Sequence, residues 1–269
     1  MHIVVAAKQV LDPDGVNSYA LWGKLAVDET SRRFTIAESI PQLINAYDEQ
    51  AMEVALRLRD AGAECRITAI SVGHASAADV LKRCVAMGAD QAILVNDPEI
   101  DAADGLRTAA LLAAAVKRLE HADLVLCGRQ GSDFDQGTVP AVLAALLDAP
   151  LITLAADVRP VDAGVQVTRV AALGEEVLEA SFPVVVTVSN EVGAPRAPGA
   201  RAMLAARRTQ PTVYDASDLL PERAVRSVEL RRVEVPDVQG KCELIEGDTS
   251  ALRAASLLQR LQEIGALDG

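Results

Sequence analysis

The sequence predicts an α/β fold: a mainly parallel, doubly wound sheet with an antiparallel extension and a C-terminal arm. Three observations carry this. Short apolar runs rich in β-branched residues, as in His2 to Ala6 and Ala89 to Val95, alternate with segments whose apolar residues recur at helical spacing. The apolar half of the composition is mostly Ala, Val and Leu, with only 3% aromatic residues, which suits helices packed on buried strands. After Pro150 the texture changes to extended segments separated by turn residues.

Taken in order, His2 to Ala6 is a buried parallel strand, with Lys8 just beyond its end. Residues 11–44 form a long connection broken by Pro13, Gly15, Gly23 and Pro41, and 26–36 reads as a hairpin. A helix opens at Asn45, which is a capping residue type; Asp48 and Glu49 suit its positive end. Ala51, Val54, Ala55 and Leu58 make its apolar face, and Gly62 stops it. Glu64 to Val72 is the second strand, Ala75 to Met87 a helix, Ala89 to Val95 the third strand and Ala102 to Leu119 a helix. Leu124 to Cys127 is the fourth strand and Val139 to Leu147 the helix after it. This alternation implies crossover helices and a parallel sheet.

Leu151 to Val158, Gly164 to Ala172 and Glu176 to Ala180 then read as an antiparallel meander, turning at 162–164 and 174–175. Pro183 to Val188 is the last strong strand. A breaker-rich segment follows, then a short basic helix over 200–208. Residues 209–247 are polar with little period, and Thr249 to Ile264 is helical. The expected organisation is a nucleotide-binding domain over 1–190, a loop and short helix over 191–208, and a C-terminal arm over 209–269 that packs on a partner.

Between Asp123 and Pro150 the chain reads strand, glycine-bearing loop, helix. Backbone N–H groups at a helix start can face a phosphate there, although the loop is neither G-x-G-x-x-G nor a P-loop. Lys8 lies at a strand C-end, where open α/β sheets bind ligands. Asp133 and Asp135 are turn and capping residues, an acid/base pair, or acceptors for ribose hydroxyls and an adenine amino group. Carboxylates repel phosphate, so a phosphate should meet backbone N–H groups, Thr138 or a cation. Arg129 can pair with phosphate, with flavin, or with Asp133 or Asp135. Ser132 is an ordinary loop hydroxyl. Arg201, Arg207 and Arg208 form a basic patch, solvated or docking an acidic partner.

The formal net charge is −12, which argues against a nucleic-acid partner. Cys65, Cys84, Cys127 and Cys242 form no C-x-x-C and read as free thiols in a reducing compartment. Three scattered histidines show no metal spacing. No signal peptide and no apolar run of membrane-spanning length is visible, so a cytoplasmic protein is expected. No catalytic constellation is visible either.

Several segments together resemble one family. They are Ile3 to Val10, Asn45 to Leu58, Ala86 to Val95, Asp123 to Gln130, Pro183 to Val188 and Ala194 to Pro198. In this order and spacing they look like the electron transfer flavoprotein β subunit. The resemblance implies an adenine-nucleotide α-hydrolase-like fold and half of an αβ heterodimer. It further implies one wall of an FAD site shared with the α subunit, and an adenine nucleotide of the chain's own, AMP or a second FAD. Carried onto this chain, the nucleotide residues are Ala6, Lys8, Asn45, Asp48, Val72 and the loop Gly128, Arg129, Gln130, Gly131, Ser132, Asp133, Asp135, Gln136, Gly137 and Thr138.

Pro195, Arg196, Ala200 and Arg201 look like the family's loop for docking a flavin dehydrogenase of the acyl-CoA dehydrogenase kind. Two departures stand out: the 133–140 loop is shorter than the family pattern, and Ala200 stands where a leucine anchor is common. The implied activity is electron carriage, with the protein binding and tuning a flavin rather than supplying acid/base groups. The alternatives are an electron-bifurcating flavoprotein with two FADs and a stand-alone adenine-nucleotide-binding regulator.

Overall fold

A computed structural model of the chain describes residues 1–15, 18, 22–28, 33–36, 39–100, 104–220, 231–235 and 242–267. Contacts divide the chain into two units, Met1–Glu234 and Val235–Gly269.

The first unit is built on nine strands in the order β11-β10-β9-β12-β8-β1-β6-β7-β13. The strands are β1 (His2–Ala6), β6 (Arg66–Gly73), β7 (Gln91–Asn96), β8 (Leu124–Gly128), β9 (Leu151–Val161), β10 (Gly164–Ala171), β11 (Gly174–Ser181), β12 (Val184–Val188) and β13 (Thr212–Asp215). β1 pairs in parallel with β6 and β8, and β12 in parallel with β8 and β9. β9, β10 and β11 pair antiparallel, as the turn-separated segments predict. Two small pairs, β2 (Gln9–Leu11) with β5 (Gln42–Ile44) and β3 (Leu25–Asp28) with β4 (Arg33–Ile36), occupy the long early connection. The second is the predicted hairpin; its turn, 29–32, lies outside the described residues.

Strand side chains point alternately to opposite faces. Ile3, Val5, Leu124, Leu126, Val184 and Val186 therefore enter one core, against α1 (Ala46–Asp60) and α2 (Ala78–Met87). Val4, Val125 and Val185 enter the other, against α3 (Gly105–Lys117) and α4 (Thr138–Leu147). Because both faces are covered, these strands read as continuous apolar runs. The helix expected from Ala102 begins at Gly105. Asp104 caps it, accepting the Arg107 N–H at 3.0 Å, and 101–103 lie outside the described residues.

The polar stretch after Thr209 holds a strand that its sequence does not announce. β13 adds in parallel to β7, and α6 (Ala216–Leu219) follows it. Tyr214 and Ala216 pack against the second core, so four residues of weak period are carried by the register of a neighbouring strand. α5 (Ala200–Ala206) is the short basic helix, two residues shorter than expected. In the second unit α7 (Ser250–Glu263) starts at Thr249, whose hydroxyl accepts the Leu252 N–H at 3.2 Å; Arg260 pairs with Glu243 at 2.9 Å.

From β1 the chain winds outward through β6 and β7, then returns to β8 on the other side of β1. The winding reverses between β1 and β8. Crevices outside the C-terminal ends of strands at such a reversal are where open α/β sheets hold ligands.

Candidate functional site

The site begins with the end of β1 and the start of α1. Asp48 is in the first turn of α1 and is buried. One carboxylate oxygen accepts the Lys8 N–H at 2.7 Å and the other accepts the Gly128 N–H at 2.9 Å. A single side chain therefore fastens the ends of β1 and β8 to a helix. The approach is close enough to demand glycine: a Cβ on residue 128 would lie 2.4 Å from Asp48 Oδ1 and 2.7 Å from Tyr47 Cβ. Burial pushes the Asp48 carboxyl up to about 6, against the opposing pull of its Lys8 and Gly128 N–H donors.

Asn45 stands at the N-cap position of α1, but its side chain does not cap the helix. Its amide ties down the loop after β8 instead, donating to Gln130 O at 2.8 Å and accepting the Ser132 N–H at 3.2 Å. Farther along the loop, Gln130 Nε2 donates to Asp135 Oδ1 at 2.6 Å and the Asp135 N–H donates to Gly131 O at 2.9 Å. Asp135 is left-handed, with φ 51°. Lys8 Nζ lies 2.8 and 2.7 Å from the two carboxylate oxygens of Asp133 and 5.6 Å from the Phe134 ring centre.

Together these elements enclose a cavity of about 200 Å³. Ala6 and Lys8 line it from β1, Asn45 and Asp48 from the start of α1, and Val72 from the end of β6. Gly128, Gln130, Gly131, Asp133, Asp135, Gln136, Gly137 and Thr138 line it from the loop and the start of α4. Two expected residues fall outside this lining. Arg129 is 5.8 Å from the Tyr47 ring and donates to Gln130 Oε1 at 3.2 Å. Ser132 turns its N–H to Asn45, and its hydroxyl is buried with no hydrogen-bond partner among the described residues.

The structure also brings in residues that the sequence pattern did not mark. Ile70, Ile100, Leu112 and Cys127 add apolar wall, while His74, Gly105 and Thr108 come from the ends of β6 and α3. Residues on α3 lie between the quoted motifs and belong to none of them, so only helix placement could find them. The cavity thus has an apolar wall, a polar loop and the positive start of α4, a chemistry that fits an adenosine phosphate. Among the described residues no group of three His, Cys, Asp or Glu could hold a metal ion.

A family model described as "Electron transfer flavoprotein domain" matches residues 33–236. The chain belongs to the electron transfer flavoprotein family. It is 32% identical over 268 residues to the caffeyl-CoA reductase-Etf complex subunit CarD of Acetobacterium woodii, covering 98% of each chain. It is 34% identical to the electron transfer flavoprotein subunit beta of Megasphaera elsdenii, covering 83% of this chain and 82% of that one. It is 31% identical to a probable subunit beta of Saccharomyces cerevisiae, covering 83% and 85%. The β-subunit resemblance of the motifs thus extends over most of the chain, and it supports an electron-transfer role. No helix among the described residues is long and apolar enough to cross a membrane.

The segment in which the resemblance expected docking residues begins against α1. Arg196 is fully engaged there. Its backbone N–H and Nε donate to Glu53 Oε2 at 3.0 and 2.8 Å, and Nη2 donates to Asp60 Oδ2 at 2.7 Å. Glu53 is buried and also accepts from Arg57 at 2.9 Å. Burial pushes its carboxyl up, and the hydrogen bonds from Arg196 and Arg57 outweigh that and hold it below the usual range. Arg196 therefore anchors the segment. Pro195 is half-buried, whereas Ala200 and Arg201 are exposed, as is Leu204 at 62%.

Proposed function

We propose that the chain is the β subunit of a heterodimeric electron transfer flavoprotein. It pairs with an α subunit, supplies one wall of a shared FAD site and holds an adenosine phosphate, as AMP or as part of a second FAD, in the cavity at the β1–β8 reversal. FAD supplies one- and two-electron chemistry when bound. The chain's own residues bind, orient and enclose: Asp48 fixes the strand ends, Asn45 fixes the loop, and the start of α4 with Lys8 faces the phosphate. The carrying observation is that cavity, closed by the loop that the sequence singles out.

Residues 1–190 form the nucleotide-binding domain of this assignment and 191–208 the docking loop and short helix; of the arm expected over 209–269, β13 and α6 join the first unit's own sheet and core, and the stretch after them is the part assigned to pack on the α subunit. The arm assignment draws on α7. Among the described residues none of its side chains is buried, and Leu252, Leu257, Leu258 and Ile264 are exposed. The partner is a flavin dehydrogenase of the acyl-CoA type; the relative in a caffeyl-CoA reductase complex supports this chemistry. A cytoplasmic location follows the same assignment.

The test is co-expression with an α-type subunit, purification, heat denaturation and quantification of what is released. One FAD with one AMP, or two FADs, per heterodimer supports the assignment and names the nucleotide. A colourless chain that binds neither a second subunit nor a nucleotide would overturn it.

A further inference from the structure

The polar end of the cavity contains a pair of opposite charges, and this bears on which ligand the cavity accepts. Lys8 Nζ sits between both oxygens of Asp133, and both residues line the cavity together with Thr138 and Val139 of the first α4 turn. Asp133 Oδ1 also accepts the Phe134 N–H at 3.0 Å. A carboxylate beside the α4 start repels any phosphate that approaches it. The loop is shaped to put it there: a Cβ on Gly131 would lie 2.7 Å from Asp133 Oδ1 and 3.1 Å from Lys8 Nζ. Asn45 fixes the loop at Gln130 and Ser132, so Asp133 hangs beyond two tethered points with its side chain 18% exposed. Lys8 is one-third exposed, so solvent reaches the pair and screens it in part.

We infer that Lys8 makes this cavity select a phosphorylated over an unphosphorylated nucleoside, with Asp133 as its built-in competitor. Asp133 holds Lys8 Nζ at the phosphate position, and a nucleotide phosphate binds by replacing one anion with another on the same ammonium. A phosphate dianion wins this exchange because it carries more charge and more acceptor oxygens, and because the α4 start adds to its attraction. A neutral nucleoside has no group to make the exchange and leaves the pair closed. The inference rests on the nucleotide assignment above and adds the residues that set its preference.

The test is calorimetric titration of adenosine and of AMP into the full chain in its subunit complex, stripped of nucleotide. Wild type should prefer AMP. Lys8→Met should cut that preference by about tenfold or more, and Lys8→Arg should keep it. Asp133→Asn should raise the preference for AMP over adenosine severalfold, because the competitor is removed. Equal weakening of both ligands by Lys8→Met, or no rise in that preference in Asp133→Asn, would overturn the inference while leaving the nucleotide assignment in place. Failure of wild type to bind either ligand would remove both.

Discussion

Asp48 and Gly128, 80 positions apart, meet so closely that the carboxylate occupies the space of a side chain at 128. The oxygen that accepts the Gly128 N–H at 2.9 Å lies 2.4 Å from where a Cβ would stand. Strand β8 can end against helix α1 only because residue 128 has no side chain. The loop that closes the cavity starts from that contact.

Gly128→Ala should therefore cost about 1–3 kcal/mol in folding stability, the usual cost of overpacking, and should empty the cavity of copurifying nucleotide. Denaturant midpoints and cofactor quantification read both effects. A variant as stable and as loaded as wild type would refute the close contact.

Asp48 also imposes a pH dependence. Its carboxyl in the fold titrates near 6, above the ordinary 3.8. Between those values the folded chain binds more protons than the unfolded one. This group's contribution is thus greatest at low pH and is lost as pH rises through about 6. The loss is on the order of 3 kcal/mol. Asp48→Asn removes the titration but leaves one of two backbone donors facing an amide nitrogen, a cost of about 1–3 kcal/mol. Wild type minus variant stability, measured from pH 4 to 8, should narrow as pH rises, because other titrating groups are common to both. A gap that stays constant or widens counts against this.

Glu53→Ala should release the segment around Arg196. It removes the partner of Arg196 and Arg57, for a global loss of about 1–2 kcal/mol once the part-exposed arginines are discounted. The larger effect is local: amide protection over 192–197 should fall in hydrogen exchange. In wild type the Glu53 carboxyl is held below its ordinary 4.5, so its contribution is present above that value and disappears as pH falls through the lowered one. The segment should loosen in acid and stay ordered at neutrality. Unchanged protection in the variant would show that Arg196 is not the anchor.

Strand and helix order was legible because burial on both sheet faces leaves long apolar runs such as Ile3 to Ala6 and Leu124 to Cys127, with glycine and proline between them. The loop that lines the cavity was legible for the same reason, since a polar, glycine-bearing stretch interrupts that pattern. β13 was not legible. All of its residues but Tyr214 are exposed at a sheet edge, so β7 and not their own period makes them a strand. The roles of individual site residues were also hidden. Asn45 has the chemistry of a helix cap, and its sequence neighbours cannot reveal that Gln130 and Ser132 lie within reach of its amide.

The sequence by itself determined the α/β layering, the family, the region of the cavity and about half of the residues that line it, because periodicity, turn chemistry and motif order are local properties. Only the tertiary structure decided what those residues do. It made Asp48 a fastening between strand ends, Arg196 an internal anchor, and Lys8 and Asp133 a closed pair across the cavity. Each of those roles is a contact between segments from tens of residues to more than a hundred apart. Such contacts depend on strand order and on the close approaches that glycine permits, and no local pattern encodes them.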